Sequence, residues 1–238
     1  MAKLKILGSS SAGNAYILEA SDETLIIELG VGWSEILRSL NYDLTKVYSC
    51  LVSHRHSDHS CAISHALKNG LDIYSCQDVQ TIHPQVKVLK NGVKKQIGAF
   101  KVQPIPLYHS CECIGFLIEH EDFGKIVFAT DTNEIPYRFK NCNHLIIECN
   151  YDVDVLIDHA CSDMYSQSAS ENHLELNDTI DFIKQNYSCD IQSITLIHLS
   201  NNNINASVAK KRIVDEIGFG NVYIADVGVE VTLNKDEF

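Results

Sequence analysis

The chain has 238 residues, of which 45% are hydrophobic and only 4 are proline. This length and composition favour one compact domain over residues 1–238 rather than two small domains joined by a linker. Its 19 basic and 31 acidic side chains give a formal charge of -12, which argues against indiscriminate binding to a polyanion such as DNA.

The first part of the chain is dominated by short apolar or alternating runs, which predict strands. They lie at residues 3–7, 15–20, 24–29, 46–53, 100–105, 115–120 and 125–130. Helical spacing occurs at 33–40 and again at 59–70, where Gly70 is a plausible C-cap.

The second part alternates strands and helices. Predicted strands at 145–149, 193–200 and 221–226 are separated by predicted helices at 175–187 and 205–218. Two blocks of strands with helices outside them predict an α/β fold, a four-layer αβ/βα sandwich. Residues 151–174 are weakly amphipathic and then polar, and we expect a helical cap there.

The opening MAKLKILG has no long apolar core, and no run in the sequence is long enough to span a bilayer. Nine cysteines without paired spacing fit reduced thiols better than a disulfide framework. We therefore expect a cytoplasmic protein with no membrane partner.

The most specific segment is SHRHSDHS at residues 53–60, directly after a predicted strand. Imidazole and carboxylate groups make up the ligand set expected for zinc, manganese or iron. A solvated histidine-rich loop is the alternative, because such tracts also chelate metals incidentally.

HRHSDH at 54–59 resembles the HxHxDH motif of the metallo-β-lactamase superfamily. His109 in PLYHSCECIGF resembles that superfamily's third histidine, Asp131 in FATDT its bridging carboxylate, and His198 in LIHLS its last histidine. A single histidine or aspartate at a strand end is more often structural, but the elements occur together in the family's order.

The resemblance implies a ligand assignment for two divalent ions, zinc or manganese, with iron as a further option. One ion would be held by His54, His56 and His109, and the second by Asp58, His59 and His198, with Asp131 between them. Ions so placed supply a bridging hydroxide as the nucleophile at neutral pH, and Asp58 is for that reason also counted as catalytic. The nearby Cys111 and Cys113 are weak ligand candidates.

Within the superfamily the chain is most similar to the YycJ/WalJ-type exonuclease-like branch, with ribonuclease Z and the PhnP phosphodiesterase as relatives. GSSSAGN (8–14), ECNYD (148–152), NHLELND (172–178) and HLSNNN (198–203) carry this likeness. GSSSAGN reads first as a tight turn, although its small residues, Ser10 and Asn14 among them, would let backbone amides approach a substrate.

His173 precedes a predicted helix and is interpreted as a general acid that protonates a leaving alkoxide. The alternative is a helix-start histidine with no catalytic role. Glu148 and Asn150 are candidates either for orienting other residues or for capping a strand end, and Asn150 is also a candidate substrate contact.

Residues 86–101 hold five lysines and no acidic residue. Asn91-Gly92 predicts a hairpin, so Lys90, Lys94 and Lys95 are candidate contacts to a polynucleotide backbone on an exposed arm. A solvated face with extended lysines is an equal alternative.

The sequence thus predicts a dinuclear metal-dependent hydrolase that cleaves phosphodiester bonds, a nuclease of the exonuclease-like kind. A phosphodiesterase for cyclic nucleotides or other small molecules is the main alternative, which the acidic net charge favours. A thioesterase, a lactamase or a metal-stabilised binding protein fits less well, because a secretory leader is not evident and the ligand series is unbroken. A homodimer is left open.

Overall fold

The computed structural model of the protein describes residues 2–158 and 170–235, which form two seven-stranded sheets. The strands of the first sheet are β1 (Ala2–Ser10), β2 (Gly13–Glu19), β3 (Thr24–Ile27), β4 (Val47–Leu51), β5 (Ile73–Ser75), β6 (Lys87–Val88) and β14 (Glu230–Leu233). Those of the second are β7 (Lys95–Ile97), β8 (Phe100–Leu107), β9 (Cys113–His120), β10 (Gly124–Ala129), β11 (His144–Glu148), β12 (Ser193–Ile197) and β13 (Val222–Ile224).

The two sheets have similar plans, each with an antiparallel part and a parallel part. The first has the order β14-β1-β2-β3-β4-β5-β6, with parallel pairing from β3 to β6. The second has the order β13-β12-β11-β10-β9-β8-β7, with parallel pairing from β10 to β13. Parallel strands end at a common edge, so the residues that follow β10, β11 and β12 are brought together.

The helices lie between the strands in the chain. In the described part they are α1 (Trp33–Ser39), α2 (Ser57–Ser60), α3 (Ile63–Lys68), α4 (Gln77–Ile82), α5 (Val153–Asp158), α6 (Leu176–Asn186) and α7 (Ala206–Ile217). Both long helices begin at a side-chain cap, since Glu175 accepts from the Asn177 amide and Asn205 from the Val208 amide. The C-cap of α3 is Asn69 rather than the predicted Gly70, which follows it with φ of 80°.

The core shows how the layers stack. On β11, Ile146 belongs to the cluster that contains the first sheet, whereas Leu145 and Ile147 pack with residues of α6 and α7. Alternate side chains of one strand thus serve the inter-sheet core and the outer helical layer. The predicted α/β sandwich is confirmed.

Several elements were not predicted from the sequence. Strands β5, β6 and β7 have only two or three residues each, which is too short for a periodic signal. Strand β14 returns to the first sheet and pairs with β1, so the strands do not fall into two consecutive blocks. The predicted helix at 59–70 is divided into α2 and α3.

The predicted cap over 151–174 is only partly visible. Helix α5 lies within it, and residues 159–169 lie outside the described residues. Over the described ranges, the helices are all too short or too polar to cross a lipid bilayer.

Candidate metal centre

The predicted ligands gather at one edge of the two sheets. The 53–59 loop follows β4 in the first sheet, whereas His109, Asp131 and His198 follow β8, β10 and β12 in the second. All seven predicted ligands fall into two donor groups that share Asp131, with the donor atoms of each group within 4.8 Å of one another.

The first donor group contains three histidines and one carboxylate oxygen. His56 Nδ1 lies 3.0 Å from His54 Nε2 and 3.1 Å from His109 Nε2. Asp131 Oδ2 lies 3.7 Å from His54 Nε2 and 3.6 Å from His109 Nε2. Four donor atoms therefore surround one point.

The second donor group uses the other oxygen of Asp131. His59 Nε2 lies 3.3 Å from Asp131 Oδ1 and 3.3 Å from Asp58 Oδ2. His198 Nε2 lies 3.5 Å from Asp131 Oδ1 and 3.8 Å from Asp58 Oδ2. Because the two oxygens of Asp131 face different groups, this carboxylate stands between them.

These spacings fit divalent metal ions. Donors bound tetrahedrally at about 2.0–2.1 Å lie roughly 3.3 Å apart, close to the distances in both groups. His198 Nε2 is buried and has no hydrogen-bond partner among the described residues. A buried nitrogen without a partner is costly, and a metal ion would satisfy it.

The outer nitrogens of the histidines are held by the protein, which fixes which nitrogen faces the ion. His109 Nδ1 donates to the carbonyl of Asn172 at 3.2 Å, and His198 Nδ1 donates to Glu148 Oε1 at 3.1 Å. His54 Nδ1 lies 2.9 Å from the hydroxyl of Ser53. In each case Nε2 is left to face the donor group.

The two cysteine candidates lie outside the donor groups. Cys111 Sγ is 3.9 Å from His56 Nε2 and Cys113 Sγ is 3.8 Å from His54 Nδ1. Both are outer nitrogens, so the thiols lie behind the imidazoles rather than with their metal-facing atoms.

The electrostatics of the cluster are dominated by buried carboxylates. Burial lowers the pKa of His54 and of His109. At His59 and His198 burial has the same tendency, but Asp131 and its neighbouring carboxylates outweigh it and raise the pKa of both imidazoles. The carboxylates thus favour positive charge between themselves and the histidines, which is the position that a divalent cation takes.

Backbone strain is concentrated at the same edge. Glu28, Asp131 and His198 have φ of 63°, 49° and 54°, in the left-handed region that non-glycine residues rarely adopt. Strain of this kind persists where surrounding contacts enforce it. Here it occurs at three strand ends around the ligand cluster, with Asp131 and His198 lining the cleft and Glu28 buried behind His59.

His173 lies in the same cleft, which is lined by Ser11, His56, Asp58, His109, Ser110, Asp131, Asn172, His173 and His198. Its Nδ1 is 2.7 Å from Glu148 Oε1, and its ring stacks on His198 with centroids 5.2 Å apart. Burial opposes protonation, but the Glu148 carboxylate outweighs it and raises the pKa of His173. The Glu148 carboxylate thus favours the protonated form of the His173 imidazole at the cleft.

Two of the predicted substrate contacts, Asn14 and Asn150, are buried. Asn14 is fully buried and donates to the carbonyls of Ser10 and Asp58. Asn150 is 6% exposed and donates to the His198 carbonyl at 2.8 Å. These buried amides support the ligand loops, and direct substrate contact by either side chain stays a prediction. Ser10 lies at the β1–β2 turn, where its hydroxyl accepts from the Ala12 amide.

The predicted pairing of the lysine segment as a hairpin was wrong, whereas contact of Lys90, Lys94 and Lys95 with a polynucleotide stays a prediction. The segment 86–101 passes from β6 in the first sheet to β7 in the second, so its two strands do not pair with each other. Lys94 forms an ion pair with Glu119, and Lys95 pairs with Val102, seven residues before His109. At about 3.3 Å per residue, Lys95 lies roughly 20 Å from the cluster. Lys90 is exposed beyond the end of β6 at the edge of the first sheet.

The sequence reasoning missed Glu28. Its fully buried carboxylate accepts from the Ser53 amide and lies 3.4 Å from His59 Nδ1, so it supports the 53–59 loop. A lone acid at the end of the apolar run TLII was the available signal. Ser9 was missed for a similar reason, since only the structure shows its hydroxyl accepting from the His198 amide at 2.8 Å.

Comparison with known proteins agrees with this geometry. No family model matches the chain. Among solved structures, the metallo-β-lactamase fold protein YhfI from Bacillus subtilis superposes with a TM-score of 0.73 at 17% identity, covering 98% of this chain and 100% of that one. The short form of human tRNase Z superposes with a TM-score of 0.69 at 15% identity, covering 97% and 99%. The chain therefore has the metallo-β-lactamase fold.

Sequence similarity identifies a branch. The exodeoxyribonuclease WalJ of Streptococcus pneumoniae is 25% identical over 250 residues, covering 96% of this chain and 91% of WalJ. The exodeoxyribonuclease YycJ of Bacillus anthracis is 23% identical over 251 residues, covering 90% of each. The predicted resemblance of the chain to the YycJ/WalJ branch of the metallo-β-lactamase fold is confirmed.

Proposed function

We propose that the protein is a dinuclear metal-dependent phosphodiesterase that acts on nucleic acid as a nuclease of the exonuclease-like kind. The observation that carries the proposal is the division of seven ligands into two donor groups around the shared carboxylate of Asp131. The names of WalJ and YycJ, both exodeoxyribonucleases, support a nucleic-acid substrate.

The ligand sets follow from the two donor groups. His54, His56 and His109 would hold one ion, Asp58, His59 and His198 the other, and Asp131 would contact both. Zinc and manganese both suit imidazole and carboxylate donors. Two such ions lower the pKa of a water molecule toward neutrality and stabilise the phosphate oxygens during displacement.

The protein's own residues then handle the leaving group. Glu148 accepts from His173 Nδ1, which fixes the ring and leaves Nε2 for the substrate. With its pKa raised by that carboxylate, His173 carries a proton that Nε2 can deliver to the departing oxygen. Glu148 also accepts from His198 Nδ1, so one buried carboxylate positions both a ligand and the proposed acid.

A small phosphodiester, such as a cyclic nucleotide, is the second candidate substrate. The described residues that line the cleft include no lysine or arginine, and the nearby Arg55 is paired with Asp78 at 3.3 Å. A long polyanion is usually bound through several basic contacts, so this observation favours a small or terminal substrate. Action in the cytoplasm, a single domain, a cap over 151–174 and a homodimer stay predictions.

A parallel assay tests the proposal. Protein loaded with Zn²⁺ or Mn²⁺ is given bis-p-nitrophenyl phosphate, cyclic mononucleotides, single- and double-stranded DNA, structured RNA, nitrocefin and a glutathione thioester. We expect hydrolysis of phosphodiesters and two metal ions per chain by plasma emission. Turnover confined to the lactam or the thioester would overturn the assignment.

Asp58→Ala provides the matched test of the second ion. It should abolish turnover in a folded protein, because the substitution removes a ligand at the cleft surface. Asp78→Ala is the control, since this half-exposed carboxylate pairs with Arg55 and belongs to neither donor group. Full activity in Asp58→Ala would contradict the dinuclear proposal.

A further inference from the structure

A second cavity lies beside the metal centre, beyond the carboxyl ends of β12 and β13. Its volume is about 640 Å³, compared with about 200 Å³ for the cleft at the ligands. Pockets for small organic ligands have volumes of roughly 300–1,000 Å³. The cleft therefore has room for ions and a phosphate, whereas the neighbouring cavity has room for a larger group.

The two spaces share a wall. Ser9 lines the cavity, and its hydroxyl accepts from the His198 amide at 2.8 Å and hydrogen-bonds the buried Tyr16 hydroxyl at 2.8 Å. Leu199 and Ser200, which follow the ligand directly, also line the cavity. The backbone from His198 to Ser200, together with Ser9, thus forms the boundary between the metal centre and this cavity.

The lining is polar but almost uncharged. Hydroxyl and amide groups come from Ser200, Asn201, Asn202, Asn205 and Ser207. Apolar contacts come from Leu199, Ile204 and Ile224, among others, and Asp226 is the sole charged side chain among the lining residues that the structure describes. A phosphate backbone would require cationic partners, whereas amides that both donate and accept are suited to the edges of nucleobases.

The cavity is built on a fixed backbone. The Ser200 amide donates to the Asn150 carbonyl at 3.0 Å, and the Asp152 amide donates to the Asn203 carbonyl at 2.9 Å. Within the described ranges the exposed side-chain amides of Asn201 and Asn202 have no hydrogen-bond partner. Rigid backbone with uncommitted amides is the arrangement expected of a preorganised binding surface.

We propose that this cavity binds the nucleoside joined to the scissile phosphate. The amides of Asn201 and Asn202 contact the base, and the side chains of Leu199 and Ile204 pack against its face or the sugar. The inference rests on the proposed function, and it makes the substrate a terminal or short nucleotide unit rather than an internal stretch of duplex.

Two variants test the cavity. Ser207→Trp places an indole in it from the exposed first turn of α7, and Asn201→Ala/Asn202→Ala removes the proposed base contacts. Both should lower kcat/KM for a deoxydinucleotide roughly tenfold or more, as expected for the loss of about two hydrogen bonds. Hydrolysis of methyl p-nitrophenyl phosphate, which has no nucleoside, should not change. Asn221→Trp, at the opposite end of β13, is the control.

Inhibition gives a second readout with defined probes. Deoxyadenosine 5′-monophosphate and inorganic phosphate compete with methyl p-nitrophenyl phosphate, and the ratio of their inhibition constants isolates the contribution of the nucleoside. We expect the wild type and Asn221→Trp to prefer the nucleotide by roughly tenfold or more. The two cavity variants should lose this preference while retaining their thermal unfolding midpoint.

These experiments distinguish failure of the proposed phosphodiesterase function from failure of the proposed nucleoside cavity. If the wild-type protein hydrolyses no phosphodiester, the proposed function fails. If it cleaves the dinucleotide but Ser207→Trp and the double alanine variant behave as the wild type, or if phosphate and nucleotide inhibit equally, the phosphodiesterase assignment stands and the nucleoside cavity is overturned.

Discussion

The buried histidines at the two ends of strand β11 differ in how their ring nitrogens are hydrogen-bonded. At its first residue, the fully buried His144 has both nitrogens satisfied by the protein, Nδ1 by the Ser193 hydroxyl at 2.8 Å and Nε2 by the Asn234 carbonyl at 2.9 Å. At its last residue, Glu148 holds His198 by Nδ1 and leaves Nε2 without a partner among the described residues. The structural His144 thus has both nitrogens bonded, whereas His198 has Nδ1 held and Nε2 free to face an ion.

The largest expected effect is at the shared ligand. Asp131→Asn keeps the volume of the side chain but removes the charge that faces both donor groups. We expect fewer than one bound ion per chain and a loss of phosphodiester hydrolysis on the order of 10³-fold or more. Metal analysis and kcat measurement check this, with His144→Gln as the buried control that should keep both ions.

The second largest effect is expected at His173, the proposed general acid that Glu148 holds at the end of β11. His173→Ala should slow a dinucleotide by about 10²–10⁴-fold, because its leaving alkoxide needs a proton. Thymidine 5′-p-nitrophenyl phosphate should be slowed far less, since p-nitrophenolate leaves without one. Equal slowing of both substrates would assign His173 a binding role only.

At the opposite end of β11, His144 should make the free energy of unfolding depend on pH. Burial lowers the pKa of His144 to about 4, below the value of about 6.5 expected in the unfolded chain. Between these values the unfolded state binds a proton that the folded state does not, so stability falls as the pH drops from about 6.5 to about 4, by at most roughly 3 kcal/mol.

Urea unfolding at pH 7 and pH 5, with chelator present throughout, measures this effect. His144→Gln should lower stability at pH 7 by about 1–3 kcal/mol through its lost hydrogen bonds, and should flatten the dependence on pH. The exposed His65→Gln is the control. A His144→Gln variant that loses stability on acidification as steeply as the wild type would contradict the assignment.

The smallest effect is expected for the lysines. Replacing Lys90, Lys94 and Lys95 with Gln should leave hydrolysis of small esters unchanged and should reduce DNA cleavage little, because Lys94 is already paired with Glu119 and Lys95 is remote from the cluster. A marked loss of cleavage together with a flatter salt dependence would restore these residues as a guide for the polynucleotide.

The sequence-based predictions succeeded for features encoded by neighbouring residues and failed for features that depend on contacts between distant parts of the chain. The 54–59 motif is a local pattern, and the order of His109, Asp131 and His198 after strands could be read along the chain, so the structure brings all of them together. Contacts such as Ser9 to His198, 189 residues apart, have no local signature. The burial of Asn14 was not predicted, because a polar residue in a turn of small residues gives the same sequence pattern whether it is exposed or buried.

The lysine segment failed for a related reason. Asn-Gly between two β-prone runs predicts a hairpin, and the chain does turn there, with φ of 72° at Gly92. The strand with which each run pairs, however, depends on which sheet edges are left unpaired by the rest of the fold. Here β5 takes β6 and β8 takes β7, so a correct turn joins two different sheets.

The return of β14 to the first sheet has a consequence for how the protein is made. During translation β1 and β2 emerge early, but the partner that covers the outer edge of β1, from Ala2 paired with Leu233 to Lys5 paired with Glu230, is synthesised more than 220 residues later. An uncovered strand edge invites pairing with other nascent chains. The first sheet therefore cannot be completed until β14 has been synthesised, and a chaperone that shields β1 until then should increase the yield of native protein.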